Sequence, residues 1–306
     1  MAEITAGMVK DLREKTGVGM MDCKAALAAT GGDMEAAIDW LRAKGLAKAA
    51  KKSTRVAAEG LVGLAIKGTV GAVVEVNSET DFVARNEKFQ AMVAGISKLA
   101  LNAHSSTEAL KTMHFPGSSH AVAEYVAEMV ATIGENMTVR RTSALSVSDG
   151  VIGSYIHNQI APGMGKIGVI VAIEGAGDKA VLGEFGRMLS MHIAATNPVS
   201  LTLDSVPPEV LAREKAVLEE KNAGKPANVM EKIVASGLKT YAKENCLFEQ
   251  AYVHDGSKTV TQALAEAATK AGGAAKITGF VRMQLGEGIE KVEDDFAAEV
   301  AKMSGQ

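Results

Sequence analysis

The sequence predicts an α+β fold, and three observations carry that prediction. Residues 1–55 place apolar side chains at helical spacing between breaks at Gly17, Gly31 and Gly32. From Gly60 the period changes from 3.6 to 2, the signature of half-buried strands. Two alternating stretches then echo one another: Gly60-Leu61-Val62-Gly63 with Gly71-Ala72-Val73-Val74-Glu75-Val76, and Gly150-Val151-Ile152-Gly153 with Gly168-Val169-Ile170-Val171-Ala172-Ile173. Each runs on into an amphipathic helix, so the core is expected to hold two related hairpin-plus-helix units.

Composition sets the outer bounds. At 306 residues and 47% hydrophobic, the chain has room for two or three domains, each with a real core. Aromatics at 4% do not suit a stacking platform for bases, and a net charge of -3 argues against whole-protein attraction to nucleic acid or to a membrane surface. Cys23 and Cys246 have no metal or redox spacing and read as free, buried thiols of a cytoplasmic protein. Residues 1–20 mix acids and bases with apolar positions, unlike a secretory or transit peptide, and no apolar run is long enough to span a bilayer.

The elements follow from local chemistry. Thr5 is placed to cap a first helix carrying Met8, Val9 and Leu12, Asp22 a second, and Asp33 a third that ends about Gly45. The basic, acid-free run from Arg42 to Arg55 reads as a solvated helical linker rather than a nucleic-acid patch, since no aromatic is interleaved. In the first unit the strand to Val76 leads to a helix with Phe89, Met92, Val93 and Ile96, then a helix from about Ala121 to Ile133 and a strand from Thr138 to Val147. The second unit has its helix around Phe185, Leu189 and Ile193, a strand from Leu247 to Val253, a helix from Thr259 to Ala271, and a last strand through Ile277, Gly279, Val281, Met283 and Leu285. It is interrupted by two helices with narrow apolar stripes around Gly224-Lys225-Pro226, an antiparallel hairpin that packs mainly on itself. A terminal helix is expected from about Glu293. The predicted boundaries are 1–55, 56–148, 149–203 with 245–285, an inserted hairpin at 204–244, and a C-terminal module at 286–306.

No catalytic constellation emerges. Gly17-Val18-Gly19 lacks the strand and third glycine of a dinucleotide turn, and no phosphate-binding Gly-x-x-x-x-Gly-Lys-Ser/Thr loop is present. Ser236 and Lys239 have the spacing of a serine nucleophile and its lysine but lack its companion motifs. The six histidines show no ligand spacing, so neither a metal nor any other cofactor is expected. Glu75 alternates out of phase with its strand neighbours and reads as part of a solvated edge.

What remains is Thr80-Asp81-Phe82-Val83, in the connection after the first repeat's strand. Phe82 could fold back as a loop plug with Asp81 capping the next turn, or it could be held out for a partner. The second repeat has Glu174-Gly175-Ala176-Gly177-Asp178 at the corresponding place, with nothing large or apolar. A plug required by the frame would be expected in both copies, so the subtraction favours contact with a partner.

Several stretches together resemble the bacterial elongation factor Ts family over nearly the whole chain. They are Val9-Lys10-Asp11-Leu12-Arg13, Thr16-Gly17-Val18-Gly19-Met20-Met21-Asp22-Cys23-Lys24, Glu75-Val76-Asn77, Glu79 through Arg85, Ile133-Gly134-Glu135-Asn136, and Gly286-Glu287-Gly288-Ile289-Glu290. The resemblance implies a ubiquitin-associated-like three-helix N-terminal domain, a two-part core, a coiled-coil protrusion and a C-terminal helix. It implies guanine-nucleotide exchange on the GTPase elongation factor Tu, without covalent chemistry or a cofactor of its own, in a heterodimer or a dimer of heterodimers. Thr80, Asp81, Phe82 and Val83 would disturb the partner's magnesium site, and Met20, Met21, Lys24, Asn77 and His157 would contact the partner. Ser78 stands where relatives often carry cysteine, and the long hairpin after His157 is a second departure. The rival reading is an adapter that uses the three-helix module to bind a protein without promoting exchange.

Overall fold

The opening apolar spacing becomes three helices, α1 (Ala6–Thr16), α2 (Met20–Ala29) and α3 (Met34–Lys52). The computed structural model describes residues 4–16 and 18–290, and the helix expected from Glu293 lies outside them. Thr5 caps α1 by accepting the Met8 N–H at 3.2 Å, and Asp33 caps α3 by accepting the Ala36 N–H at 2.8 Å. Leu12, Cys23, Ala26, Leu27 and Ala37 close a small core between the three. Asp22, expected to cap α2, lies inside its first turn, and Gly19 occupies the N-cap position.

Helix α3 does not end at Gly45 but continues through the basic run to Lys52. Gly45 marks a helix crossing: a Cβ built there would stand 3.1 Å from that of Ala131. The stretch read as a solvated linker is therefore the second half of a packed helix. Ala49 rests on the first large core, and the Lys52 ammonium donates to the Gly134 carbonyl.

The first unit comprises β1 (Glu59–Lys67), β2 (Val70–Ser78), α4 (Glu87–Ala100), the short α5 (Thr107–Thr112), α6 (Val122–Ile133) and β3 (Met137–Ser146). The second comprises β4 (Gly150–His157), β5 (Met164–Gly165), β6 (Ile167–Gly175), α7 (Lys179–Thr196), the hairpin α8 (Pro208–Lys221) and α9 (Ala227–Asn245), then β7 (Ala251–Tyr252), β8 (Asp255–Thr259), α10 (Val260–Ala271) and β9 (Ala275–Gln284). The sheets are antiparallel, with orders β3-β2-β1-β5, β4-β6-β9 and β7-β8. No residue of α8 is buried and only Ala242 of α9 is, so the two helices pack on each other, with Leu218 seated against Gly237.

The repeat in sequence is a repeat in geometry. Leu61 pairs with Val76 as Val151 pairs with Ile173. The β2–β3 ladder slips between Glu75 and Val76, leaving Arg140 as the extra residue. The β6–β9 ladder slips between Ala172 and Ile173, leaving Thr278. The two sheets meet face to face through Val62, Val73, Ile152, Ile170 and Met283. The approach is reciprocal and depends on glycine. A Cβ on Gly71 would stand 2.6 Å from Ile152 Cγ2, and one on the equivalent Gly168 would stand 2.7 Å from Val62 Cγ1.

Three further features were not anticipated from the sequence. The long hairpin after His157 crosses to the first unit, where β5 pairs with β1 and Met164 joins its core. Residues 247–253 do not form one strand. Leu247–Glu249 is a 3-10 turn whose neighbouring amides bond to the 200–201 backbone, and only Ala251–Tyr252 is extended.

The third departure is Glu75, which is 0% exposed rather than at a solvated edge, because the second sheet covers the face it points to. Its carboxylate accepts from Arg140 at 3.0 and 3.1 Å, from Arg141 Nε at 2.6 Å, from Asn77 at 3.0 Å and from the Gly286 N–H at 2.8 Å. Burial alone would raise its pKa, but the bonds from Gly286, Asn77 and Arg141 together hold it below 4.5. This cluster clamps the turn after β9 onto the first sheet.

Glu75→Ala would remove the shared partner of two partly buried guanidinium groups, which keep only their bonds to Gln284 and Glu287, and is expected to cost roughly 1–3 kcal/mol, read as a fall in the urea midpoint at pH 7. Because the folded carboxyl titrates below its unfolded value, its stabilisation is present in full above about pH 4.5 and is lost as pH falls through the folded pKa. Glu75→Gln should therefore flatten the acid limb of the stability–pH curve, and an unchanged limb would count against this assignment.

Candidate functional site

The connection from β2 to α4 is short and held at both ends. At its root the Thr80 N–H donates to Glu135 Oε2 at 2.9 Å, and the Thr80 hydroxyl donates to Glu135 Oε1 at 2.7 Å. One residue earlier, Glu79 accepts the Asn136 N–H at 2.5 Å and pairs with Arg55 at 3.4 Å. Asn136 in turn donates to the Arg55 carbonyl at 2.7 Å. Ser78, fully buried, donates to the Thr80 carbonyl at 2.9 Å, so its hydroxyl has an internal role.

At the far end Val83 and Ala84 are buried in the first core, inside a 3-10 turn, Val83–Arg85. Asn86 then caps α4, accepting from the Lys88 and Phe89 amides at 2.9 and 3.3 Å. Between these anchors Asp81 and Phe82 stand out. Phe82 is 80% exposed, which rules out the loop plug, and Asp81 caps nothing with its side chain. Phe82 is thus a large exposed aromatic on a turn anchored at both ends.

The structure thus divides the four-residue motif. Asp81 and Phe82 are presented, whereas Thr80 and Val83 are anchors. Val83, expected among the residues acting on the partner, is instead in the core. Asn77, expected to touch a partner, is 0% exposed; it donates to Glu75 at 3.0 Å and to the Glu59 carbonyl at 3.3 Å, and its Oδ1 has no bonding partner. It faces inward because it continues the Val73–Glu75 face of β2, the face on which the second sheet packs.

The N-terminal candidates lie on the surface. At the start of α2, Met20 is 51% and Met21 80% exposed, and Lys24 follows one turn later. His157, the last residue of β4, is exposed with a ring nitrogen 3.1 Å from the Tyr155 hydroxyl. Sequence reasoning assigned no role to Glu79, Glu135, Asn136 and Arg55, which hold the presented pair. Among the described residues no group of three or more His, Cys, Asp or Glu is placed to hold a metal ion, and no helix is long and apolar enough to cross a membrane.

The model of the family described as elongation factor TS matches residues 79–287. The chain is 62% identical over 305 residues to the elongation factor Ts of Methylorubrum populi, covering 99% of this chain and 100% of that one. It is 60% identical over 307 residues to that of Methylobacterium radiotolerans and 59% identical over 306 residues to that of Xanthobacter autotrophicus, with complete coverage of both chains in each case. The chain belongs to the elongation factor Ts family. As a member of the elongation factor Ts family it is a nucleotide exchange factor for elongation factor Tu and not an enzyme.

The division between anchors and presented residues has a stability signature. Phe82→Ala should leave the melting temperature within the range of a surface change, about 0.5 kcal/mol or less. Val83→Ala should destabilise by roughly 1–3 kcal/mol, because it empties part of the core. Thermal melts of the two variants compare them directly, and equal losses would contradict the division.

Proposed function

We propose that the chain promotes GDP release by inserting Asp81 and Phe82 beside the magnesium and phosphate site of elongation factor Tu. The observation that carries this reading is the 80% exposure of Phe82 on a turn anchored at both ends. A GTPase holds its nucleotide through phosphate-binding backbone and a magnesium ion that bridges phosphate oxygens. Phe82 enters an apolar crevice of the partner and moves its walls, while Asp81 makes a polar contact or repels the ion's shell. Losing the ion removes a large part of the nucleotide's affinity, and linkage makes the effect mutual. If this chain weakens nucleotide binding, incoming GTP weakens the binding of this chain by the same factor and ejects it.

The rest of the molecule supplies grip. Residues 1–55 are the ubiquitin-associated-like domain and anchor on the GTPase domain through Met20, Met21 and Lys24, the methionines giving adaptable apolar contact. Both are exposed on a helix whose other side fills the bundle core. His157 touches a second part of the partner, and α8–α9 is the family's coiled-coil protrusion. The complex forms in the cytoplasm as a heterodimer or a dimer of heterodimers.

Release of fluorescent GDP from purified elongation factor Tu tests the reading. The intact chain should accelerate release. Phe82→Ala, as a central aromatic contact, should lower the acceleration by about 2 kcal/mol, roughly thirtyfold. Asp81→Ala should also slow release. Met20→Ala with Met21→Ala should raise the concentration needed for half-maximal effect and leave the saturating rate unchanged. No acceleration by the intact chain would refute exchange by this site, and full activity of both the Asp81 and Phe82 variants would make the turn purely structural.

A further inference from the structure

The two halves of the core differ most where a helix returns to its strand. Helix α6 ends at Gly134 (φ 96°) and α10 at Gly272 (φ 73°), both left-handed caps. Two residues follow in each copy before the strand opens, at Met137 opposite Ser78 and at Ala275 opposite Gly175. In the second copy those two residues are Gly273 and Ala274, without a functional group. They lie against bare backbone, where a Cβ on Gly273 would stand 3.1 Å from the Gly177 nitrogen, and the Asp178 N–H closes the turn on the Ala271 carbonyl at 2.8 Å. In the first copy the same two positions are Glu135 and Asn136. The fold therefore closes this turn without a carboxylate or an amide, and the copy that has them is the copy that presents Asp81 and Phe82.

We propose that Glu135 is a positioning residue for nucleotide exchange, one that fixes the direction in which Asp81 and Phe82 leave the frame. This rests on the reading that the pair acts on the nucleotide site of the partner. Glu135 uses both carboxylate oxygens on one residue, taking the Thr80 amide at 2.9 Å and the Thr80 hydroxyl at 2.7 Å. Backbone and side chain of Thr80 are thus held together, one residue before Asp81. Buried Val83 holds the other side, so the presented pair is an arch of two residues clamped at both feet. Asn136 and Glu79 brace the clamp from below, and Arg55, just beyond the end of α3, connects it to the N-terminal helices. Removing the Glu135 carboxylate frees one foot and leaves the core residue Val83 in place.

Three measurements on the full chain decide this. In the free protein, Glu135→Ala should speed hydrogen exchange at the Thr80 amide, the one that donates to the carboxylate, but not within α4. With elongation factor Tu loaded with fluorescent GDP, it should lower the saturating release rate roughly 10- to 100-fold, as misplacement of a working group by about 1 Å does. The half-saturating concentration should move little, since the other contacts remain. Glu135→Gln keeps one acceptor and should fall between parent and alanine variant, with a parent-like melt showing that the loss is not unfolding. In a Phe82→Ala background, Glu135→Ala should add less than about a twofold loss, because both act through the same group. Unchanged hydrogen exchange, a parent-like saturating rate, or the same loss with and without Phe82 would each overturn the proposal. If the intact chain fails to accelerate release, the exchange reading falls, and hydrogen exchange at Thr80 alone then supports or refutes the clamp.

Discussion

The contact on which the architecture depends is the seating of Val62 against Gly168 and of Ile152 against Gly71. Val62 and Ile152 hold the same place in the two repeats, as do Gly71 and Gly168, so each half offers the other the same knob and the same hollow. This is the reciprocity of a twofold interface, built within one chain. Any side chain larger than hydrogen in either hollow would push the sheets apart and open the shared core of Val73, Ile170 and Met283. Fixing the distance between the sheets also fixes which face of β2 is covered, and so decides the fate of Glu75 and Asn77.

Against that near-symmetry, polar substitutions collect in the first half. Glu75 stands where the second half has Ala172, and Arg140 and Arg141 where it has Thr278 and Gly279. Glu135 and Asn136 stand where it has Gly273 and Ala274. Burying a carboxylate is unfavourable unless it is fully paired, and the alanine of the sister strand shows that the frame does not require one. These groups fasten segments that symmetry does not supply: the turn after β9 in the case of Glu75, and the root of the presented pair in the case of Glu135. The second half diverges in a different way, by inserting α8–α9 and by sending β5 across to complete the edge of the first sheet.

Much of the frame was legible in the sequence, because caps and periodicity are local. Thr5 and Asp33 cap the helices they precede, and the repeat located both hairpins. The misreadings of Glu75, Asn77 and Gly45 share one cause, since each needed knowledge of what lies opposite. Alternation placed Glu75 and Asn77 on a face of β2 but could not say that a second sheet covers it. Gly45 read as a stop because the helix passing beside it was not visible in sequence. A continuous motif from Thr80 to Val83 gives no sign that its ends hold and its middle presents.

Rigid presentation suits a chain that must bind and then be expelled. Ordering a flexible residue on binding costs about 1–2 kcal/mol, so a loose pair of presented residues would lose much of its effect to its own entropy. An arch clamped by Glu135 and Val83 incurs that cost during folding, before the partner arrives. On the proposed reading the contact can then remain small, two side chains directed at the group on which nucleotide affinity depends. A larger insertion would bind the empty GTPase more tightly but would by reciprocity resist ejection by GTP, so turnover favours a blade that is short and stiff over one that is extensive.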